Sequence, residues 1–439
     1  MKSLFQNRNF LALFLGRMIT NMGDSIYYVA SMWLVYQLSG SAFYTGVAGF
    51  LILLPKTLQF LTGPLVDQWD TKKTLIITQV LQCILILVIP IAYMLDMLSV
   101  ILILTIMPLL AIIEEFAYPA QTKILPLIVE KENLVKGNSF LAFAYQGVDM
   151  VFNALTGILV TLVGAITLYW IDSITFAMAA ICFGVFKLVK PINQFDHSTP
   201  IKIKYSVKQY WKDLMQGFAV VFHSLLWFFL IGLIVANFAI GSSMAILPAF
   251  ADHIGGAKTY GILLAALSAG SLIGALCGSL LIKFNVGKLA VICFSIGAIC
   301  WTLSALLQSP IWTSILFGSA WIFIGAINVL FAGVFQSVIP NELLGRVNSV
   351  MTSISVIAMP LGSLLGGYFA TQISPIMLFS FTGLGLLFVA IIWLIHPKLR
   401  SLPKMVEINR NALKLDIILE KTTESSTKNI NLEYKTPIS

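Results

Sequence analysis

The chain has 439 residues, 58% of them hydrophobic and only 10% charged, against about 45–50% and about 25% in soluble domains. That balance excludes a soluble enzyme and a disordered chain. The long unbroken apolar runs exclude a β-barrel, whose strands alternate over about ten residues. A hydrocarbon core about 30 Å thick takes roughly 20 apolar residues per helical crossing. Runs bounded by charges or by Gly, Pro and Ser clusters predict twelve crossings. In the first half they fall near residues 9–37, 43–66, 74–95, 99–121, 137–163 and 165–189. In the second half they fall near 216–250, 259–282, 289–308, 311–336, 346–371 and 373–396. The start, MKSLFQNRNF, leads into a long span rather than a short cleavable signal.

The charges order these spans. With the N-terminus in the cytoplasm, 24 of the 27 Lys and Arg residues fall on the cytoplasmic side, only Lys258 falls outside, and Arg17 and Lys56 lie within spans. Such a bias is the positive-inside signature. The net charge of +8 then faces anionic lipid and is no nucleic-acid footprint. Both termini are expected in the cytoplasm, with the protein in the plasma membrane of a bacterial cell. A repeat divides the chain: Glu132, Leu134, Lys136, Asn138 and Ser139 match Glu342, Leu344, Arg346, Asn348 and Ser349 at an offset of 210 residues. The expected fold is an all-α membrane protein of twelve transmembrane helices in two pseudo-symmetric six-helix bundles, residues 1–189 and 216–396. A cytoplasmic linker spans 190–215, and 397–439 form a solvated tail in which VEINRNALKLDIILE could make a surface helix. Two like halves with a site between them near the midplane is the plan of secondary transporters.

Ionisable groups inside spans cost at least about 2.5–3.5 kcal/mol each on insertion scales, so each is a candidate functional group. Arg17, Asp24, Lys56, Glu114, Glu115, Asp149 and Asp172 all belong to the first half. The intramembrane polar residues of the second half are neutral, such as Asn237, Asn328 and Gln336. Proton handling is therefore expected in the first bundle, with apolar cargo surface in the second. Arg17, Asn21 and Asp24 stand at i, i+4 and i+7 on one helical face. A guanidinium favours the ionised carboxylate and desolvation favours the neutral acid, so Asp24 is either a proton-coupling group or half of a structural ion pair. Glu114 and Glu115 point about 100° apart, so one faces the cavity while the other pairs with Lys56 or Lys123. Asp149 with Asn153 makes an i, i+4 polar pair on the fifth span, a coupling group or helix–helix glue. Arg17 and Lys56 are the expected charge partners. Tyr27, Tyr28 and Trp33, on the span of Asp24, are expected to line the substrate cavity with Asn21, Asn237 and Asn328.

The five cysteines lie inside apolar segments with no C-x-x-C pair and the four histidines are scattered. No metal site and no cofactor are expected, and with no G-x-x-x-x-G-K-[ST] the chain lacks its own ATP site.

The stretch Gly63-Pro-Leu65-Val-Asp67-Gln-Trp-Asp70-Thr-Lys72-Lys73-Thr-Leu75 resembles the signature of the major facilitator superfamily, G-x-L-a-D-r-x-G-r-k-x-x-l. Gly63, Leu65, Asp67, Lys72 and Leu75 match, while Gln68, Asp70 and Thr71 depart. Gly63 suits close helix approach and Asp67 can accept from a facing helix N-terminus. Together with Lys72, Lys73 and the Glu342–Arg346 region they make a candidate cytoplasmic gate. Asn21-Met-Gly23-Asp24, Ser39-Gly-Ser41, Asp172 and Asn341-Glu342-Leu-Leu-Gly345-Arg346-Val-Asn-Ser349 are together similar to the macrolide-efflux-type branch, over about residues 5–396. The resemblance implies a monomeric exporter, not an enzyme, that moves amphipathic small molecules by alternating access and exchanges them for protons. The branch also contains siderophore exporters, so a dedicated siderophore or metallophore exporter is a second reading. A sensor or partner-binding protein that kept the fold and lost transport is a third. The arginine that many drug–proton antiporters carry in the fourth span is replaced here by Glu114 and Glu115, and the G-P-x-x-G-G motif is absent from the fifth span.

Overall fold

The computed structural model describes residues 2–57, 69–130, 133–185, 207–408 and 413. Gly63, Asp67 and Glu132 lie outside the described residues, as do most of the expected linker and the far tail. The described chain is almost wholly helical. The first half contributes α1 (Arg8–Ser39), α2 (Ala42–Thr57), α3 (Thr71–Met94), α4 (Val100–Ile128), α5 and α6 (Ala165–Val185). Helix α5 is interrupted: Leu134–Ala142 leads into a π-helical turn, Phe143–Gly147, and resumes as Val148–Val163. The second half follows α7 (Val207–His223). The continuous helix Leu226–Gly278 is two crossings joined at a kink, α8 (226–254) and α9 (257–278). There Gly255 is extended and Gly256 has φ 72°, a left-handed value that a side chain disfavours. Then come α10 (Val286–Leu306), α11 (Pro310–Val338), α12 (Asn341–Phe369) and α13 (Pro375–Ile395). Among the described residues, twelve helical segments thus form two six-helix bundles.

Local chemistry explains the helix starts. Asn7 caps α1 by accepting from the Asn9 and Phe10 amides and donates through Nδ2 to the Ile128 carbonyl at the end of α4, 2.7 Å away. Asp70, where the sequence departs from the signature it resembles, is the N-cap of α3 and accepts from the Lys73 amide at 3.1 Å. Ser99 and Ser374 cap α4 and α13 in the same way.

The seventh crossing begins at Leu226 rather than near residue 216. Ser224 and Leu225 break the helix, and Ser224 Oγ accepts from the Leu226 amide. Residues 216–223 belong to α7, which packs on α12: Gly217 lies against the Arg346 backbone and Arg346 donates to Gln216 Oε1. Of the expected tail, residues 397–408 and 413 are described, and these pack against the second half rather than standing in solvent. Pro397–Arg400 forms a short helix, Lys404 bridges Asn285, and the Val286 and Gly287 amides donate to the Pro403 and Leu402 carbonyls. Leu399, Leu402, Ile408 and Leu413 are buried beneath the second half. The reason is apolar spacing: burying each such side chain contributes about 1.5–3 kcal/mol, which a solvated segment would forgo. Deleting everything after His396 is therefore expected to lower the thermal midpoint of the purified protein by several degrees. Leu402→Asp in the full-length chain is expected to lower it in the same direction, because it buries a carboxylate without a partner. Differential scanning fluorimetry of the truncation and the point variant checks this.

Among the described residues, the bundles touch backbone to backbone at the end away from the basic connections. Gly46 of α2 packs against Gly367 of α12, and Gly157 of α5 against Gly261 of α9, so that a Cβ on any of the four would strike the facing backbone. Three side-chain hydrogen bonds cross between the halves there. Thr45 donates to the Ala245 carbonyl at 2.6 Å, Ser363 to the Gly46 carbonyl at 3.1 Å, and Tyr36 to Asp252 Oδ2 at 3.2 Å. Trp33 stacks on Tyr260, ring centroids 5.5 Å apart. Small residues that let backbones touch, with hydroxyls bonding across, are what hold helices together where lipid supplies no hydrophobic drive.

Candidate functional site: a two-faced central cavity

A cavity of about 290 Å³ lies between the bundles. Helix α1 lends it Asn21, Asp24, Tyr27 and Tyr28; α2 lends Lys56, α3 Gln82, α4 Glu114, and α5 Tyr145, Asp149 and Asn153. From the second half come Ile240, Met244, Leu267, Trp321 and Met359. The first-half wall carries the ionisable groups beside apolar Ile52, Leu53, Ile86, Leu110, Ala111 and Phe176, whereas the second-half wall has no ionisable group and is rich in sulfur and indole.

The polar wall is organised by hydrogen bonds. Asn21 is buried and donates to the Ala144 carbonyl at 2.6 Å, tying α1 to the helix that carries the π turn. Asp149 Oδ1 accepts from Ser25 at 2.7 Å and from Asn153 at 3.0 Å. Lys56 Nζ stands 3.9 Å from Glu114 Oε1. Asp24 is half-buried; its Oδ2 is shut away with no hydrogen-bond partner. Glu115 turns from the cavity and is buried, as the 100° offset from Glu114 requires. Asp172 is fully buried beneath Gly23 and accepts from Thr175.

Lys56 and Glu114 are partly solvated, so their attraction is screened, yet either one alone would leave a charge among apolar helices. Lys56→Met and Glu114→Gln are each expected to reduce the yield of folded protein more than the double variant does, since removing both partners removes the uncompensated charge. Size-exclusion profiles of the three variants check this coupling.

Several residues sit elsewhere than expected. Arg17 does not pair with Asp24. Its guanidinium lies over the Tyr145 ring at 4.6 Å and near Tyr118 at 5.9 Å. Positions i and i+7 are about 10 Å apart along a helix, and helical side chains lean toward the N-terminus, which carries Arg17 away from Asp24. Trp33 belongs to the closed end of the molecule, against Tyr260. Asn237 and Asn328 line a separate cavity of about 140 Å³ inside the second bundle with Phe229, Phe294 and Trp393. Lys72 donates to the Gly184 carbonyl at 2.8 Å, joining α3 to α6, and only the backbone amide of Lys73 is engaged by Asp70. Arg346 bonds Gln216; Glu342 lies in the first turn of α12. Gln82, Tyr145, Met244, Trp321 and Met359 line the central cavity without having been singled out. Gln82 had a local signal, an amide within an apolar run, whereas nothing marks one methionine or tryptophan of a spanning helix as cavity-facing. Among the described residues no cluster of His, Cys, Asp and Glu could hold a metal.

The chain is similar along nearly its whole length to known membrane transporters. Tap, a multidrug efflux pump of Mycolicibacterium fortuitum, is 23% identical over 403 residues, covering 89% of this chain and 96% of its own. YvqJ, an uncharacterized MFS-type transporter of Bacillus subtilis (strain 168), is 24% identical over 376 residues, covering 83% and 86%. Among solved structures, an inward-facing, occupied bacterial homolog of the human lysosomal transporter Spinster superposes with a TM-score of 0.63 at 12% identity, covering 88% of this chain and 95% of the other. The nucleoside transporter NupG gives 0.61 at 12% identity, covering 88% and 98%. These likenesses show the fold. The model of the transmembrane secretion effector family matches residues 3–437. The chain therefore belongs to that family of the major facilitator superfamily, and is a multi-pass membrane transporter rather than an enzyme.

Proposed function

We propose that this transporter is a proton-coupled exporter of amphipathic small molecules working by alternating access. The carrying observation is the division of the central cavity, with Asp24, Glu114, Asp149 and Lys56 on one wall and Met244, Leu267, Trp321 and Met359 on the other. An apolar wall with a few placed polar groups suits a drug-sized amphiphile. Charged groups in hydrocarbon mark proton and ion pathways. Tap, a multidrug efflux pump that aligns along most of the chain, supports export of small molecules. With both termini cytoplasmic, the end held shut by Gly46, Gly157, Gly261 and Gly367 is the outer one. The described conformer then presents its cavity toward the cytoplasm. Proton uptake and release at Asp24 would be linked to cargo because Oδ2 has no protein partner, so the cost of its charge changes with whatever fills the cavity. Glu114 and Asp149 share the field, with Lys56 as counter-charge. No further subunit is invoked, so the transporting unit is the monomer.

The test uses purified protein in liposomes with an imposed pH gradient and a panel of ethidium, erythromycin and other amphiphiles. Accumulation should follow the gradient and vanish when an ionophore collapses it. Accumulation that persists without ΔpH and membrane potential overturns the proposal.

A further inference from the structure

A second recess of about 270 Å³ lies in the first bundle, lined by Arg17 of α1, Tyr118 and Gln121 of α4, and Asn138, Leu141, Ala142 and Tyr145 of α5. Two of its buried donor atoms have no hydrogen-bond partner. Arg17 is 2% exposed and its Nη1 has no hydrogen-bond partner; Gln121 is 3% exposed and its Nε2 has none either. Among the described residues no carboxylate lines the recess, although three line the cavity next door. A buried guanidinium with an open donor is costly unless something pairs with it. Tyr145 lies against the guanidinium, and stacking of this kind leaves the in-plane N–H fork free to grip a planar or tetrahedral oxyanion. The backbone around the recess is specialised as well: Tyr145 sits in the π-helical turn Phe143–Gly147, a distortion that concentrates at functional sites. The π turn places the Tyr145 ring where it borders both the recess and the central cavity.

We propose that this recess is a binding site for an oxyanion headgroup, carboxylate or phosphate, carried on an amphiphile. Arg17 and Gln121 hold the headgroup and Tyr145 divides it from the central cavity. The volume accepts a headgroup and the first part of its tail, below the roughly 300–1,000 Å³ of a pocket for a whole drug-sized molecule. The apolar remainder would lie along Leu141 and Ala142. The site depends neither on proton coupling nor on the direction of transport.

The experiment measures binding of dodecyl phosphate to the full-length protein in an uncharged maltoside detergent, with no gradient present, by intrinsic tryptophan fluorescence and by thermal shift. Saturable binding is expected, with dodecyltrimethylammonium unable to compete. Arg17→Gln should weaken it roughly tenfold or more, as befits loss of a charge-assisted hydrogen bond. Arg17→Lys should be intermediate, because it keeps the charge and loses the fork. Gln121→Leu, which removes no charge and serves if Arg17→Gln fails to fold, should weaken binding severalfold. Equal binding by wild type and Gln121→Leu together with equal binding by either folded Arg17 variant overturns the site, as does competition by the cationic amphiphile. Repeating the titration in nanodiscs separates the sources. Displacement by phosphatidylglycerol but not phosphatidylcholine assigns the headgroup to lipid, and indifference to both assigns it to a diffusible amphiphile. Failure here leaves the gradient test of transport untouched.

Discussion

Asp24→Asn is expected to abolish gradient-driven accumulation in proteoliposomes while leaving cargo affinity within about threefold, under 1 kcal/mol. Asparagine is close to isosteric and keeps a polar contact with the cavity, so packing of α1 against α6 survives. What disappears is the capacity to take up and release a proton. Asp24 differs from the other acids of the wall in a way that matters here. Asp149 is held by Ser25 and Asn153, and Glu114 faces Lys56, whereas Asp24 Oδ2 has no partner. An ionised group without fixed donors depends on water for its solvation, and the water in a transport cavity comes and goes with cargo and with alternating access. Asp149→Asn is therefore expected to be milder, since the hydroxyl and amide that serve Asp149 can also serve an amide. The decisive pair of measurements is counterflow, which needs binding and rocking but no gradient, and ΔpH-driven uptake. Asp24→Asn should retain the first and lose the second. Loss of both assigns Asp24 a structural role, and retention of both removes it from coupling.

Gly157→Leu is expected to shift the conformational equilibrium away from the described state. At Gly157 even a Cβ would meet the backbone of Gly261, and both partners are backbone, so no rotamer change relieves the clash. Overpacking costs about 1–3 kcal/mol, which applied to one of two states moves their ratio roughly 5- to 150-fold. The contact exists only when α5 and α9 meet at the end away from the basic connections, so the state in which that end is apart pays nothing. The measurement is side-specific labelling of Ile240→Cys, a position lining the central cavity, with a membrane-impermeant maleimide after replacement of Cys83, Cys182, Cys277, Cys293 and Cys300 by alanine. Labelling from the side opposite the basic loops should rise in the Gly157→Leu background. Unchanged labelling would show that the glycine pair does not form the gate.

Much of the site was legible because hydrocarbon makes charge conspicuous. Asp24, Lys56, Glu114 and Asp149 could be picked out one by one as costly residues in apolar runs, and all four line one cavity. Their division of labour was not legible. The i, i+7 spacing of Arg17 and Asp24 put both on one face of α1, yet the lean of helical side chains takes Arg17 onto Tyr145. Asn237 and Asn328 were conspicuous for the same reason as the acids, but they lie inside the second bundle. A polar residue in a spanning helix must avoid lipid, and it can do so in more than one interior. The apolar wall left no local mark, since Met244 and Trp321 look the same whether they face lipid, neighbour or cargo.

The amino-acid sequence by itself determined that the chain is a bundle of membrane-crossing helices and placed Asp24, Lys56, Glu114 and Asp149, the ionisable groups that line the central cavity, in its first half. Each follows from the cost of polarity in a membrane, which every residue incurs independently of its neighbours. Only tertiary structure decided that Asp24 Oδ2 is left without a hydrogen bond at the cavity, which glycines meet across the two halves, and that residues 397–408 pack beneath the second bundle. These are relations between surfaces far apart in the chain, and no local pattern encodes a distance between two helices.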